Sequence, residues 1–408
     1  MIQYIMWGIS FIALYLSIVW ISLLYLIDEK EIKPLKVFPE ITVVVPVYNE
    51  ESSLKTTVES LLALDYPKDK LKVMIVNDGS TDNTSIIAKS LSKNSRVELI
   101  NKKNAGKAAA LNTAIEHIDS ELFACVDADS YVEPDALKKM LHLLKEKDTA
   151  AVISGIRVNK PKNWYEKLQK FEYIIAILSR KLMASIDTLA MTPGVLSVYK
   201  TKILKEVGMF DTDNITEDFE IALRLKYNGY RITIAEDAIT WTNVPNNFSS
   251  LWRQRIRWYR GFIDNHIKYR DMFFSKEHGL MGYFQLPLNV MGVVLLLVGM
   301  VIISYSVLSR IYEVIARSFV INNYIFNTFF DIPSLKDFIL GHNMKIMFPI
   351  YLSIIAGFYI FYAAHKEVDE KIRNPVAIWA YFFLLPYLTC MHWIGALYEQ
   401  IMGVKKKW

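Results

Sequence analysis

The sequence predicts an α/β domain built on a mostly parallel sheet, joined to a bundle of transmembrane α-helices. Short apolar runs alternate with segments of helical periodicity between residues 41 and 126. That alternation is typical of a parallel sheet with helices on both faces. Both ends of the chain also carry apolar stretches close to or above the roughly 20 residues that a helix needs to cross a bilayer. The chain therefore combines a globular domain with membrane segments.

Composition supports this division and excludes other classes of protein. The chain has 408 residues, of which 52% are hydrophobic, and these concentrate toward the two ends. Its net charge of +5 suits a protein beside an anionic membrane and is too small and dispersed for nucleic-acid binding. Two cysteines, Cys125 and Cys390, provide neither a disulfide framework nor a CxxC metal site, which fits a reducing cytosol.

Residues 1–27 are predicted to form an N-terminal transmembrane helix. A secretory signal would need a basic start, a shorter apolar core and a small-residue cleavage site, and the segment has none of these. A charged stretch begins at residue 28 and includes Lys33 and Lys36. Because no lysine or arginine precedes the segment, the positive-inside rule places residue 28 onward in the cytosol.

A C-terminal membrane region is predicted at residues 281–404, with apolar stretches at 283–308, 346–364 and 376–402. Basic residues flank the last stretch on both sides, with Lys371 before it and Lys405 after it. A segment that crosses once cannot have both basic flanks in the cytosol. Either residues 311–332 form a fourth crossing or the last stretch bends at Pro386, and the sequence leaves both open.

Two amphipathic segments are predicted beside the membrane. Residues 163–186 carry apolar side chains at helical spacing, and residues 246–280 mix aromatic residues with several arginines. Basic amphipathic helices with aromatic residues tend to lie in the headgroup plane. A core helix of the globular domain explains the first segment equally well.

The globular domain is predicted at residues 38–245. Its strands are predicted at 41–47, 71–76, 97–100 and 122–126, and its helices at 53–64, 84–91 and 106–118. Ligands of such sheets bind beyond the carboxyl ends of the strands. Polar side chains follow three of these ends, namely Tyr48 and Glu50, Asp78, and Asp127 with Asp129.

The chain lacks the usual glycine-rich loops that bind phosphate, since no GxGxxG follows a strand and no P-loop is present. A divalent cation can neutralise a diphosphate instead, and Asp127 and Asp129, two residues apart at a strand end, can hold one. Lys107 can also reach a phosphate, although the sequence favours a solvated lysine on a helix.

Two later motifs complete the candidate site. The first, TED at residues 216–218, opens a predicted helix, where acidic residues are also stabilised by the helix dipole. The second is QRIRW at residues 254–258, in which Gln254, Arg257 and Trp258 share one helix face. An interfacial helix can carry the same residue types without a functional role.

Together these motifs resemble the family 2 glycosyltransferases, and within them the processive polysaccharide synthases. The chain is similar above all to bacterial poly-N-acetylglucosamine synthases, and more distantly to cellulose, chitin and hyaluronan synthases. The resemblance is close over roughly residues 40–275 and covers the transmembrane flanks in outline. It rests on VPVYNE, NDGSTDNT, DAD, TED and QRIRW, at residues 45–50, 77–84, 127–129, 216–218 and 254–258.

The resemblance implies a GT-A fold, a UDP-sugar donor and inversion at the anomeric carbon. It assigns Tyr48, Glu50 and Asp78 to the nucleoside site, where Asp78 accepts a hydrogen bond from uracil. It assigns Asp127 and Asp129 to UDP, with Asp129 as the ligand of the Mg²⁺ or Mn²⁺ that neutralises the diphosphate.

The same resemblance implies that Asp218 is the general base, because a single displacement needs one base opposite the leaving group. Arg257 belongs to the donor site, since a cation stabilises the charge of departing UDP. Lys107 is kept as a further donor-site candidate, because it can reach a phosphate. The residues implied for the acceptor are Glu217, Gln254 and Trp258, and a tryptophan face packs well on a pyranose ring.

The expected reaction transfers a sugar, with N-acetylglucosamine as the expected unit, to a growing polysaccharide in a processive manner coupled to export. The expected partners are the UDP-sugar, a polysaccharide or lipid-linked acceptor and membrane lipids, without nucleic acid, and the resemblance allows for a small accessory membrane subunit. The expected location is the plasma membrane, as a multi-pass protein with its catalytic domain in the cytosol.

The chain departs from the synthase pattern at residues 191–195, where it reads Met-Thr-Pro-Gly-Val in place of a Cys-Gly-Ser or Ser-Gly stretch near the acceptor terminus. The acceptor sugar therefore stays open. The FxVTxK gating loop of cellulose synthases is missing, and we expect no cyclic-di-GMP-binding domain in this chain.

Two alternatives remain. A non-processive transferase that adds one sugar to a lipid-linked acceptor shares every donor-site residue. A transporter or receptor with a cytosolic nucleotide-binding domain requires charges within the membrane, for which Glu313, Arg317 and Glu399 are the candidates. It also requires a Walker-type loop, which the sequence lacks.

Overall fold

The computed structural model describes residues 2–27, 37–322, 324 and 344–404. The basic residues Lys33, Lys36 and Lys405, on which the predicted orientation depends, lie outside these ranges. So do most residues after 322 in the alternative crossing at 311–332.

An eight-stranded mixed sheet forms the centre of the globular domain, in the order β3-β2-β1-β4-β7-β6-β8-β5. Four of the seven neighbouring pairs are parallel and three are antiparallel. The strands are β1 (Ile41–Val47), β2 (Leu71–Asn77), β3 (Val97–Asn101), β4 (Leu122–Cys125), β5 (Ser130–Val132), β6 (Thr149–Val158), β7 (Ser197–Lys200) and β8 (Arg231–Thr242).

Helices surround this sheet and extend beyond it. Those of the globular part are α2 (Leu54–Leu62), α3 (Thr84–Leu91), α4 (Lys107–His117), α5 (Ala136–Leu141), α6 (Trp164–Ser185), α7 (Thr201–Glu206), α8 (Glu217–Tyr227) and α9 (Phe248–Lys268). The long apolar helices are α1 (Ile2–Leu26), α10 (Leu286–Ser318), α11 (Met344–Glu367), α12 (Pro375–Phe383) and α13 (Leu385–Ile401).

The first four strands and three helices agree with the sequence prediction. Strand β1 and helix α3 have the predicted limits, and the others differ by one or two residues. Strands β5 to β8 were not predicted, and each of the three antiparallel pairs includes at least one of them. Strand β4 bonds to β1 on one side and to β7 on the other, so the parallel pattern seen in the first half of the domain ends there.

Alternating residues of the central strands build a core on each face of the sheet, as the period of a strand requires. On one face Val43 and Val45 pack in a cluster with Leu61 of α2. On the other face Val44 packs in a cluster that includes Ile177 of α6. Helix α6 is therefore a core helix of the domain along this side.

Four helices in the described residues are long and apolar enough to cross a membrane: Tyr4–Leu26, Met281–Ser318, Met347–Glu367 and Pro375–Ile401. Helices α1 and α11 lie side by side, with the Tyr25 and Tyr359 hydroxyl oxygens 2.6 Å apart. Near the ends of these two helices, Leu24 and Ala364 pack into the core of the globular domain.

The last apolar segment is broken, because α12 ends at Phe383 and α13 begins at Leu385, with Pro386 in its first turn. Ala377 of α12 packs against α6 through Phe171. At the other end, Arg260 of α9 donates to the Glu399 carboxylate at 3.0 Å. Both ends therefore lie beside helices of the globular part. Helix α10 runs without a break to Ser318, so residues 311–318 do not begin a separate helix.

Helix α9 packs very closely against the start of α8. A Cβ atom at Gly261 would lie 2.2 Å from the Thr216 hydroxyl oxygen. Beside this contact, Asn214 donates to the Asn265 side-chain oxygen at 2.8 Å, and the Asn265 amide donates to the Thr216 hydroxyl at 3.1 Å. All three polar side chains are buried, so this network fixes the distance between α8 and α9.

The Gly261→Ala variant should be destabilised, because the added methyl group collides with Thr216. Overpacking of this kind costs about 1–3 kcal/mol, and the melting temperature of the protein in lipid nanodiscs measures it. Gly292→Ala is the matched control, since nothing lies within 4 Å of its added Cβ and alanine favours a helix. Equal melting temperatures for the two variants would contradict the close packing of α9 on α8.

Candidate active site

A single cavity of about 1300 Å³ joins the carboxyl ends of the central strands to the long apolar helices. It passes between α6 and α9 and reaches Asn289 of α10, Tyr381 of α12 and Trp393 of α13. All eleven residues selected from the sequence line it: Tyr48, Glu50, Asp78, Lys107, Asp127, Asp129, Glu217, Asp218, Gln254, Arg257 and Trp258.

Asp78 is held rigidly at the end of β2. One carboxylate oxygen accepts from Lys102 Nζ at 2.6 Å and from the Ala105 amide at 3.0 Å. The other accepts from the Gly106 amide at 2.8 Å and shares the Ala105 amide at 3.2 Å. Because these three donors share the four lone pairs of the two oxygens, the carboxylate can accept one further donor, such as an imide N–H.

Lys107 lies between two carboxylates at the first position of α4. Its Nζ is 2.5 Å from Asp127 Oδ1 and 3.4 Å from Glu217 Oε1. Burial opposes the charged form, but Asp127 and Glu217 raise the pKa of Lys107 well above its usual value. The interpretation of Lys107 as a solvated lysine is therefore wrong, because its helix begins at the edge of the sheet where the two carboxylates meet.

The loop at residues 191–195 connects the two acidic motifs. Gly194 accepts from the Asp127 amide at 2.8 Å, and Thr192 Oγ1 donates to the Asp218 carbonyl at 2.7 Å. A Cβ atom at Gly194 would lie 2.4 Å from Lys107 Nζ, so a larger residue would displace the lysine. This unusual stretch of the sequence therefore positions both DAD and TED.

Asp129 lies in a crowded negative environment. Burial, Asp127 and Glu50 raise the pKa of its carboxyl to about 7. In the part of the chain that the structure describes, no group of three or more His, Cys, Asp or Glu residues forms a metal cage. Magnesium typically binds one or two protein carboxylates together with substrate phosphates. The donor set around Asp129 fits a divalent cation that binds with a diphosphate.

The two carboxylates of TED have different environments. Glu217 is buried and pairs with Lys107, and burial raises the pKa of its carboxyl. Asp218 is partly exposed and lines the cavity, and its Oδ1 accepts from the Phe219 amide at 2.8 Å. That single bond is to an amide of the first turn of α8, and the other oxygen of Asp218 is left to accept a proton.

The QRIRW residues of α9 line the cavity beside TED. Arg257 donates to the Ile215 carbonyl at 3.4 Å, just before TED. The Arg255 guanidinium lies 4.7 Å from the centre of the Trp258 ring and donates to Glu172 of α6 at 2.8 Å. The pair with Glu172 therefore holds a cation against the indole and orients it.

Comparison with known proteins identifies the family. Residues 39–261, more than half of the chain, match the model described as glycosyltransferase like family 2. The chain belongs to this family. The matched segment includes every motif from VPVYNE to QRIRW, so the family 2 domain contains the strand ends and the α9 residues that line the cavity.

This family 2 protein is similar to curated poly-β-1,6-N-acetyl-D-glucosamine synthases. It is 33% identical to the protein of that name from Staphylococcus epidermidis over 267 residues, which are 62% of this chain and 64% of the relative. It is 32% identical to the one from Staphylococcus aureus strain COL over 279 residues, which are 64% of this chain and 66% of the relative. The matches thus span just under two thirds of these relatives' length.

A solved structure confirms the GT-A fold. The mannosyltransferase from Pyrobaculum calidifontis, determined in complex with GDP-mannose and Mn²⁺, superposes with a TM-score of 0.61. The superposition covers 86% of this chain and 96% of that one at 20% identity. At this identity the likeness concerns the fold alone.

Several cavity residues of this family 2 domain were not selected from the sequence. They lie on α6 and at the start of α10, and the main ones are Glu172, Tyr173, Arg180, Gln285 and Asn289. Tyr173 and Arg180 are seven residues apart, which is two helical turns on one face. That spacing indicates that the two side chains lie on the same face of α6, but nothing in the sequence shows which part of the protein this face contacts.

Removing the lysine between the two carboxylates should destabilise the protein. In Lys107→Met, buried Glu217 loses its cation, and we expect a loss of about 2 kcal/mol, below the roughly 3–5 kcal/mol of wholly buried pairs. The melting temperature in nanodiscs should fall, and adding Glu217→Gln should restore part of it. Lys103→Met, at an exposed lysine of the same loop, is the control. If the melting temperatures of Lys107→Met and this control fall equally, Lys107 does not stabilise Asp127 and Glu217 as described.

Proposed function

We propose that this chain transfers N-acetylglucosamine from UDP-N-acetylglucosamine to a growing polysaccharide at the membrane. The observation that carries the proposal is the single cavity, in which the acidic strand ends, TED and QRIRW meet and which continues to the long apolar helices. Similarity to the poly-β-1,6-N-acetyl-D-glucosamine synthases supports the choice of sugar.

The donor lies at the carboxyl ends of β1, β2 and β4. Tyr48 and Glu50 contact the nucleoside, and Asp78 accepts the uracil N–H on its remaining lone pair. Asp127 and Asp129 lie at the diphosphate. A Mg²⁺ or Mn²⁺ ion at Asp129 neutralises the diphosphate when it is bound.

The transfer is a single displacement with inversion. An acceptor hydroxyl oxygen attacks the anomeric carbon, its proton passes to the free carboxylate oxygen of Asp218, and the bond to the UDP oxygen breaks. A positioned base of this kind contributes about 10²–10⁴-fold to the rate. Arg257 stabilises the charge that accumulates on departing UDP, and Lys107 adds a second cation beside Asp127.

The acceptor end of the polysaccharide lies against Trp258, Gln254 and Glu217. One face of a pyranose ring is apolar and packs on the indole, which the Arg255–Glu172 pair orients. Gln254 Oε1 is buried without a hydrogen-bond partner among the described residues, so an acceptor hydroxyl can satisfy it. The rest of the cavity leads the polymer toward α10 and α13.

The catalytic domain lies on the cytosolic face of the plasma membrane, which the protein crosses several times. Helices α1 and α11 end at the globular domain, α10 starts there, and both ends of the α12–α13 segment contact it. Basic residues Lys366 and Lys371 precede α12 on this side, as the positive-inside rule requires of the cytosol.

The three charged residues that the transporter alternative requires do not form a path through the membrane. Glu399 pairs with Arg260, whereas Glu313 and Arg317 lie exposed near the end of α10. None of the three lines the cavity. The single-addition transferase stays as the competing enzyme, since its donor site is the same.

The size distribution of the products tests the proposal. Purified full-length chain in lipid nanodiscs should convert UDP-N-acetylglucosamine to UDP and a ladder or polymer of N-acetylglucosamine, and EDTA should stop the reaction. A product with one added sugar supports the competing enzyme instead. An absence of turnover with this donor while another UDP-sugar is consumed would overturn the choice of sugar.

Asp218→Asn should abolish transfer and leave UDP binding nearly intact, because the amide cannot accept the proton but occupies the same space. We expect a loss of about 10²–10⁴-fold in turnover, measured by UDP release, with UDP affinity measured by calorimetry. If UDP affinity falls as severely as turnover, Asp218 binds the donor and is not the base.

Trp258→Ala should shorten the product, because the acceptor loses its stacking surface between additions while the donor site stays assembled. The remaining activity should be donor hydrolysis or very short products. Arg257→Ala should instead slow hydrolysis and transfer alike, by about 10²-fold or more, since both require departing UDP to be stabilised. Product length per active enzyme distinguishes these effects. An unchanged length distribution in Trp258→Ala would mean that the indole only anchors α9.

A further inference from the structure

Arg180 of α6 is a partly buried cation without a carboxylate partner among the described residues. Three other buried or partly buried arginines each contact a carboxylate: Arg224 contacts Glu220, Arg255 contacts Glu172, and Arg260 contacts Glu399. Among the described residues no carboxylate lies within 4.0 Å of Arg180, whose only hydrogen bond goes from Nη2 to Met191 Sδ at 3.3 Å. Its Nη1 is buried with no partner.

This arrangement is costly unless a ligand completes it. A thioether sulfur is a weak acceptor, whereas a guanidinium has five N–H donors. Burial lowers the pKa of Arg180 from its usual value, yet a guanidinium stays charged. An unsatisfied buried donor costs free energy that a correctly placed oxygen atom recovers.

Arg180 lies in the cavity beside the residues of the proposed reaction. Its contact Met191 immediately precedes Thr192, whose hydroxyl donates to the Asp218 carbonyl. The charge of Asp218 also acts on Arg180. A group bound by Arg180 therefore lies in the same cavity as the carboxylate that takes the acceptor proton, beside the loop that contacts the Asp218 backbone.

The same part of the cavity offers neutral hydrogen-bonding groups. Thr188 donates to Gln285 at 3.1 Å, and Gln285 donates to Asn289 at 2.8 Å. Amides, hydroxyls and nearby aromatic rings suit a neutral glycan. An anionic group would also meet the negative charge of Asp218, so the surroundings favour a hydroxyl or amide oxygen over a phosphate.

We propose that Arg180 binds an oxygen atom of the acceptor glycan and, with Gln285 and Asn289, forms an acceptor subsite next to Asp218. The proposal rests on the proposed function, because it takes the acceptor to be a chain of N-acetylglucosamine. Arg180 thereby selects acceptors with a hydroxyl or acetamido oxygen at this position, and it has no direct role at the donor.

Equilibrium binding of a β-1,6-linked N-acetylglucosamine hexasaccharide tests this in full-length protein in nanodiscs. Arg180→Met should weaken hexasaccharide binding by about tenfold to a hundredfold, the range for losing a hydrogen bond to a charged group. Arg180→Lys should lose less, because it keeps the charge but not the fork of donors. UDP affinity should stay unchanged in both variants. In turnover, the KM for the hexasaccharide should rise while donor hydrolysis without acceptor stays the same.

Arg253→Met is the matched control, since Arg253 is exposed on α9 and, within the described part of the chain, donates to Ser249 and Ser250 of its own helix. Unchanged hexasaccharide affinity in Arg180→Met, or an equal fall in UDP affinity, overturns the proposal. So does an effect confined to a polyprenyl-phosphate-linked acceptor, which would identify a phosphate site, or a wild type that does not bind the hexasaccharide. A wild type that binds the hexasaccharide through Arg180 yet transfers no N-acetylglucosamine keeps the subsite and rejects the proposed function.

Discussion

The buried contact between α9 and the turn before α8 is the constraint on which the rest of the cavity depends. The buried side chains of Asn214, Thr216 and Asn265 hydrogen-bond to one another across this contact, and Gly261 lets the helices touch. In a medium of low dielectric constant a satisfied amide network is strong, whereas a broken one is expensive. Asp218 and Trp258 therefore belong to one rigid unit that lines the cavity.

Charge balance determines how that unit faces the sheet. Asp127, Asp129, Glu50 and Glu217 would repel one another without a cation, and Lys107 supplies one at Asp127 and Glu217. No lysine or arginine contacts Asp129 among the described residues, which leaves room for a divalent ion with the donor. The protein thus supplies the cation at Asp127 and Glu217, which is Lys107. The cation at Asp129 would arrive with the donor.

The sequence was sufficient for the parts of the fold that local periodicity determines. Strand β1 and helix α3 could be predicted to the residue, and all eleven selected side chains line one cavity. Five of them meet there because they follow strands whose carboxyl ends lie at one edge of the sheet. The contacts that position them join distant residues, such as Thr192 with Asp218 and Lys107 with Glu217, and periodicity shows only which face a residue occupies. Periodicity also could not identify Arg180, since the feature that distinguishes it is the lack of a carboxylate partner among the described residues.

The central claim is that one cavity holds the nucleotide at the strand ends and the acceptor against α9. The most direct measurement is a cryo-EM map of the full-length chain in a lipid nanodisc with UDP, Mg²⁺ and the N-acetylglucosamine hexasaccharide. The account predicts uracil at Asp78, the diphosphate beside Asp129, and a sugar ring on the face of Trp258 with the chain continuing toward α10. Density for UDP outside this cavity, or for the hexasaccharide on a surface remote from α9, would contradict it.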